Sequence, residues 1–131
     1  METTDASSAE PGELTMSVVM LTVPAEPAYV RAVRLVAASL AADLGFDVER
    51  LEDVRVAVDE LCSLFLPDTD DGAIELRFLP VDGCLEVTGR YLGQGRVTRV
   101  DPLVSEILDA TTDELDVPTE ELPAFRFVRR P

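Results

Sequence analysis

The sequence predicts an α+β domain, a two-layer sandwich in which helices cover one face of a mainly antiparallel sheet. Three observations carry this. Short runs rich in β-branched residues, bounded by glycine and proline, recur along the chain. Two consecutive segments between residues 27 and 66 space their apolar residues by threes and fours, as helices do. The order is strand, two helices, a strand pair, one helix and a closing strand, with no internal repeat.

Residues 1–13 are acidic and polar and read as a disordered tail, leaving 14–131 as a single domain. Leu14–Val23, LTMSVVMLTV, reads as the first strand. Pro27 suits the first turn of a helix, and Gly45 suits its end. Between them Val30, Val33, Ala37, Leu40 and Leu44 form the apolar face. Asp47 can cap a second helix from Val48 to Leu66, about 28 Å long. Its stripe is Leu51, Val54, Val58, Leu61 and Phe65, too few heptads for a coiled coil.

Pro67–Gly72 reads as a turn. It is a poor calcium loop, because the glycine is misplaced and Leu79 stands where a bidentate glutamate belongs. Ile74–Leu79 and Leu85–Tyr91 read as strands joined around Pro80–Gly83. Residues 93–100 are loop-like. Asp101–Pro102 starts a helix whose inward face is expected at Leu103, Ile107 and Leu108. Ala124–Arg129 alternates like a final strand.

Composition narrows the chemistry. The 131 residues include no histidine, lysine, asparagine or tryptophan. That removes a Ser–His pair, a histidine-ligated metal and a Schiff-base lysine. The formal charge is −15, and arginine carries every positive side-chain charge. Such a surface repels phosphates, so neither nucleic acid nor an anionic membrane is an expected partner. A basic protein partner is favoured by the same field. Solubility alone is the plainer account of the acidity. No apolar run reaches the roughly 20 residues that span a bilayer, and the first residues do not form a secretory signal. A cytoplasmic protein is expected, with Cys62 and Cys84 reduced and Cys62 buried in its helical stripe.

The stretch Val54-Arg55-Val56-Ala57-Val58-Asp59-Glu60, with the element order, resembles the anti-sigma factor and serine kinase family. Members share the nucleotide-binding fold of histidine-kinase ATPase domains. The likeness covers residues 14–129 and is strongest over the helix pair 28–66. It is most similar to divergent actinobacterial members. The resemblance implies a helix bearing Glu-x-x-x-Asn, in which the glutamate is a general base and the asparagine holds magnesium against ATP. Glu60 matches the base, but Leu64 stands in place of the asparagine and offers a hard cation no oxygen. Taken without the resemblance, Glu60 is a surface helix charge.

A second family element is Asp-x-Gly-x-Gly, whose aspartate binds the adenine amino group. Its counterpart here is Tyr91-Leu92-Gly93-Gln94-Gly95, where Gly93 and Gly95 fit and Tyr91 replaces the acid. A simple turn is the more frequent explanation of Gly-x-Gly. A third element, the glycine-rich phosphate lid, is missing, because Arg96–Val100 leads almost directly into the helix at Asp101.

Three altered parts imply a vestigial pocket made of Glu60, Leu64, Tyr91, Gly93 and Gly95, with no cofactor, no metal and no catalytic residue expected. Leaving Leu64 in an open wet pocket forgoes about 1.5–3 kcal/mol, so the pocket is expected to have collapsed around it. Glu60 is then expected to reach solvent or pair with an arginine.

The function implied is an anti-sigma-factor-like regulator in transcription and stress response. It binds a sigma factor, is released by an anti-anti-sigma factor, and forms a homodimer. Arg31 and Arg34 on the first helix, and the acidic segment Asp109–Glu121, are candidate contacts or else solvated surface. The alternative is an ATP-dependent protein serine kinase acting on an anti-anti-sigma protein. Glu60 would be its base, and Asp59 or Ser63 would supply oxygens for magnesium.

Overall fold

A computed structural model describes residues 17–66, 71–94 and 97–131. Its elements are β1 (Val19–Pro24), α1 (Pro27–Asp43), α2 (Val48–Ser63), β2 (Ala73–Val81), β3 (Cys84–Leu92), α3 (Pro102–Thr111), β4 (Glu114–Asp116) and β5 (Ala124–Arg129). The five strands form one sheet in the order β1-β2-β3-β5-β4. Every neighbouring pair is antiparallel, so the expected architecture stands.

The alternation of the strands sorts their side chains. Ile74, Leu76 and Phe78 of β2, Leu85, Val87 and Tyr91 of β3, and Phe125 and Phe127 of β5 are buried beneath the helices. Val30, Val33, Ala37 and Ala41 of α1 and Val54, Ala57, Val58, Leu61 and Cys62 of α2 close the core from above. Three of these are alanine, which lets the helix pair approach closely. The opposite face of the sheet is polar. It carries cross-strand ion pairs between Arg90 and Glu75 at 2.7 Å and between Arg126 and Glu86 at 3.0 Å.

The helix ends follow from local chemistry. Pro27 opens α1, where its missing N–H costs nothing. Leu44 is the C-cap, and Gly45 follows with φ of 85°. The Phe46 N–H donates to the Ala41 carbonyl at 3.1 Å and the Gly45 N–H to Ala42 at 3.0 Å, a Schellman closure with Phe46 buried against the core. Asp47 then caps α2, its Oδ1 accepting the Arg50 N–H at 2.8 Å.

Five expectations need correction. The first described strand starts at Val19; residues 14–16, and with them the disordered tail, lie outside the described residues. α2 ends at Ser63 rather than Leu66, which makes it about 24 Å long. The β2–β3 turn is Asp82–Gly83, both with positive φ as a tight hairpin needs, so Pro80 belongs to β2. Leu103 is 68% exposed, and α3 instead turns Leu108 and Thr111 fully inward, with Val104 packed on the core. The acidic connection contains the short strand β4, paired to β5. Part of the predicted Pro67–Gly72 turn, residues 67–70, falls outside the described residues.

Candidate functional site

The positions singled out in the sequence converge at the C-terminal end of α2. Glu60 lies in its last turn, half-buried. Its carboxyl is held above the ordinary value first by desolvation, then by the charges of Asp59 and Asp101. Asp101 is the N-cap of α3, so the fold brings two helix ends and three acids together. Among the described residues no arginine pairs with Glu60, which is partly solvated.

Leu64 is the C-cap of α2 and only 5% exposed. It belongs to the central hydrophobic cluster with Leu61, Cys62 and Phe65. Its carbonyl accepts the Thr98 N–H at 2.9 Å, tying the β3–α3 connection to the end of the helix. Val97 and Val100 of that connection, with Val104, pack on the cluster. Leu64 is therefore packed between the core and the β3–α3 connection.

Tyr91 is also buried. Its ring stacks on Phe65 with centroids 5.7 Å apart, and Phe65 stacks in turn on Phe125 at 6.0 Å. Gly93 lies against the same ring, where a Cβ would come 2.7 Å from the tyrosine hydroxyl. Gly93 is thus required by close approach to Tyr91. Gly72 is held against the ring in the same way, and with Phe65 it is a site neighbour that sequence reasoning did not assign. Only the place of Phe65 in the α2 stripe hinted at it. Gly95 and Arg96 lie outside the described residues.

The Leu64 side chain carries no oxygen for a hard cation, and the Tyr91 ring is buried against Phe65. Among the described residues no cluster of three or more His, Cys, Asp or Glu side chains could hold a metal ion. Cys62 is fully buried and burial pushes its thiol up, which removes it as a nucleophile. What remains beside the site is an open cleft of about 440 Å³ between residues 97–100 and 117–121.

The two arginines on α1 separate. Arg34 is half-buried and its Nη1 donates to Asp59 Oδ1 at 3.3 Å, bridging α1 to α2. It is not the outward contact expected of it. Arg31 is exposed, as are Ala28, Tyr29, Ala32, Leu35, Ser39 and Ala42 around it. The outer face of α1 is therefore largely apolar, with one cation. No helix among the described residues is long and apolar enough to cross a membrane.

The chain is 32% identical over 79 residues to the serine-protein kinase RsbW of Bacillus pumilus, a match covering 56% of this chain and 49% of that protein. It is 35% identical over 69 residues to RsbW of Bacillus velezensis and 32% over 69 residues to that of Bacillus subtilis, each covering 50% of this chain and 43% of the relative. The chain thus matches less than half the length of these relatives. The family model for the histidine kinase-like ATPase domain matches residues 23–88, from the end of β1 through α1, α2, β2 and most of β3. With the two-layer fold and the Glu60 helix in place, the chain belongs to the histidine kinase-like ATPase domain family.

Proposed function

We propose that this chain is an anti-sigma-factor-like regulator that binds its partner without nucleotide and without phosphotransfer. The observation that carries the reading is the conversion of two family site positions, Leu64 and Tyr91, into core residues. A side chain packed in the core does not hold a phosphate or an adenine. The partner is a sigma factor or related regulator in the cytoplasm, released by an anti-anti-sigma protein. The charge of −15 steers a basic partner inward at long range. The exposed face of α1, with Tyr29, Leu35 and Arg31, supplies the short-range contact. The acidic segment Asp109–Glu121 offers a second, electrostatic contact. This resembles the sequestration that the family likeness implies.

A calorimetric titration with magnesium ATP tests the first half. No heat is expected up to about 1 mM nucleotide, and binding at about 10 μM overturns it. Capture from native cytosol on the immobilised chain tests the second half. A recovered sigma factor that Arg31→Glu and Leu35→Asp release supports the surface; recovery unaffected by both rejects it.

One observation favours a second reading, a serine protein kinase. Glu60 keeps its place at the helix end with a raised carboxyl, as a general base requires, and the relatives are named serine-protein kinases. Phosphotransfer from ATP to an anti-anti-sigma protein, abolished by Glu60→Gln, would establish it.

A further inference from the structure

We infer that the cleft between residues 97–100 and 117–121 is a receptor for one arginine side chain, presented by a basic segment of a protein partner. Its volume of about 440 Å³ lies within the range of small-ligand pockets. Its lining is partly apolar. Pro118 is buried, and Val97 and Val100 are half-buried against the core. Val117, which is 39% exposed, lines it too.

Both walls are held before anything binds. On one side the Thr98 N–H donates to the Leu64 carbonyl at the end of α2. On the other, Thr119 closes a turn with Leu122. Its N–H donates to the Leu122 carbonyl at 3.0 Å, and its Oγ1 accepts the Leu122 N–H at 3.0 Å. A receptor fixed in this way loses little freedom on binding.

Charge selects the occupant. Glu120 and Glu121 line one wall, and Arg99 lines the other. Among the described residues none of these three side chains makes an ion pair, with each other or elsewhere. That separates the two glutamates from acids earlier in the same segment. Asp113 pairs with Arg129 and Arg130, and Glu114 pairs with Arg126. Two carboxylates without a counter-ion beside apolar side chains match arginine. Its methylenes lie along valine and proline, and its planar guanidinium offers paired N–H donors to carboxylate oxygens. Lysine brings the charge without that fork. An acidic side chain would meet only Arg99, on a molecule of −15. Arg99 weakens the hold on a cation, and so sets a sign that experiment can read. An aliphatic neighbour of the arginine would meet Leu122, 67% exposed beside the acids.

The inference rests on the reading of Asp109–Glu121 as a partner contact, and the two fail separately. Peptide binding with no sigma factor captured refutes the partner's identity and leaves the receptor standing. Amide spectra of the full chain, titrated with acetyl-Leu-Arg-Leu-amide, test the receptor itself. Saturable shifts confined to residues 97–100 and 117–122 are expected. No saturable shift up to about 10 mM, or shifts spread over the whole acidic surface, overturns the proposal. The same peptide with citrulline keeps the shape without the charge. It should bind at least about tenfold more weakly, and equal binding overturns the charge argument. A glutamate peptide that binds more tightly than the arginine peptide assigns the cleft to Arg99 and also overturns it. Glu120→Gln combined with Glu121→Gln should weaken the arginine peptide about tenfold or more, whereas Arg99→Gln should tighten it. These side chains are exposed and unpaired, so the variants should keep the fold, which the same spectra check. Indifference to the double glutamine variant, or weakening by Arg99→Gln, overturns the assignment.

Discussion

Leu64→Asn restores, in one side chain, the residue that the family places at this position. The structure sets its cost. Leu64 is 5% exposed and sits within the main apolar cluster. Removing its side chain from that cluster forfeits about 1.5–3 kcal/mol of burial. Placing an amide there without a partner adds about 1–3 kcal/mol. The combined loss is about 2.5–6 kcal/mol. Leu64→Ala, which makes a cavity but buries no polar group, should cost about 2–4 kcal/mol. Urea unfolding measures both, as shifts of midpoint at constant slope. The same experiment with magnesium ATP separates a damaged core from a repaired site. Nucleotide at a hundred times its dissociation constant would return about 2.7 kcal/mol to the variant. We expect no return. A loss below about 1 kcal/mol, or clear protection by nucleotide, would refute the view that this position is core.

Three further outcomes follow from the geometry. Glu60→Gln should raise stability at neutral pH, because the folded state holds the Glu60 carboxyl above its ordinary value of 4.5. The native glutamate favours folding fully only below that value and loses this as pH rises through the folded one, so the melting curves of the two proteins should converge in acid. Arg129→Met should cost about 2–3 kcal/mol in urea unfolding, because it strips the buried partner at 2.6 Å from Asp53 and at 3.3 Å from Asp113. The loss is moderated because Arg50 and Arg130 stay beside those acids. Asp47→Ala should cost about 1 kcal/mol, read as a lower melting temperature, by removing the cap on the Arg50 N–H.

Much of the fold was legible because its boundaries are written in local chemistry. Pro27, Gly45 and Asp47 mark ends that the backbone requires whatever packs above them. The misreadings arose where tertiary context decided. Leu103 and Val104 are both apolar and adjacent, and only the angle at which α3 meets α2 turns one in and the other out. β4 has three residues, two of them acidic, so no alternating pattern existed to detect. Pro80 looked like turn, yet its nitrogen faces away from β3 just beyond the start of β1, where a strand tolerates it. For the site, the loss of a donor at Leu64 was plain from the residue type. That Tyr91 stacks on Phe65 over two glycines was not, because it depends on residues 19 and 26 positions apart meeting across the core. The fate of Arg34 was hidden for the same reason, since its partner Asp59 lies on another helix.

The aromatic stack also gives this chain a pair of built-in optical reporters. It has no tryptophan and only two tyrosines, so its near-ultraviolet signal comes chiefly from Tyr29 and Tyr91. One ring is buried against Phe65 and senses whether the interior is intact. The other stands in water on α1 and senses what arrives there. A Tyr29→Phe variant leaves a probe of folding, and a Tyr91→Phe variant leaves a probe of docking, with no dye attached to either.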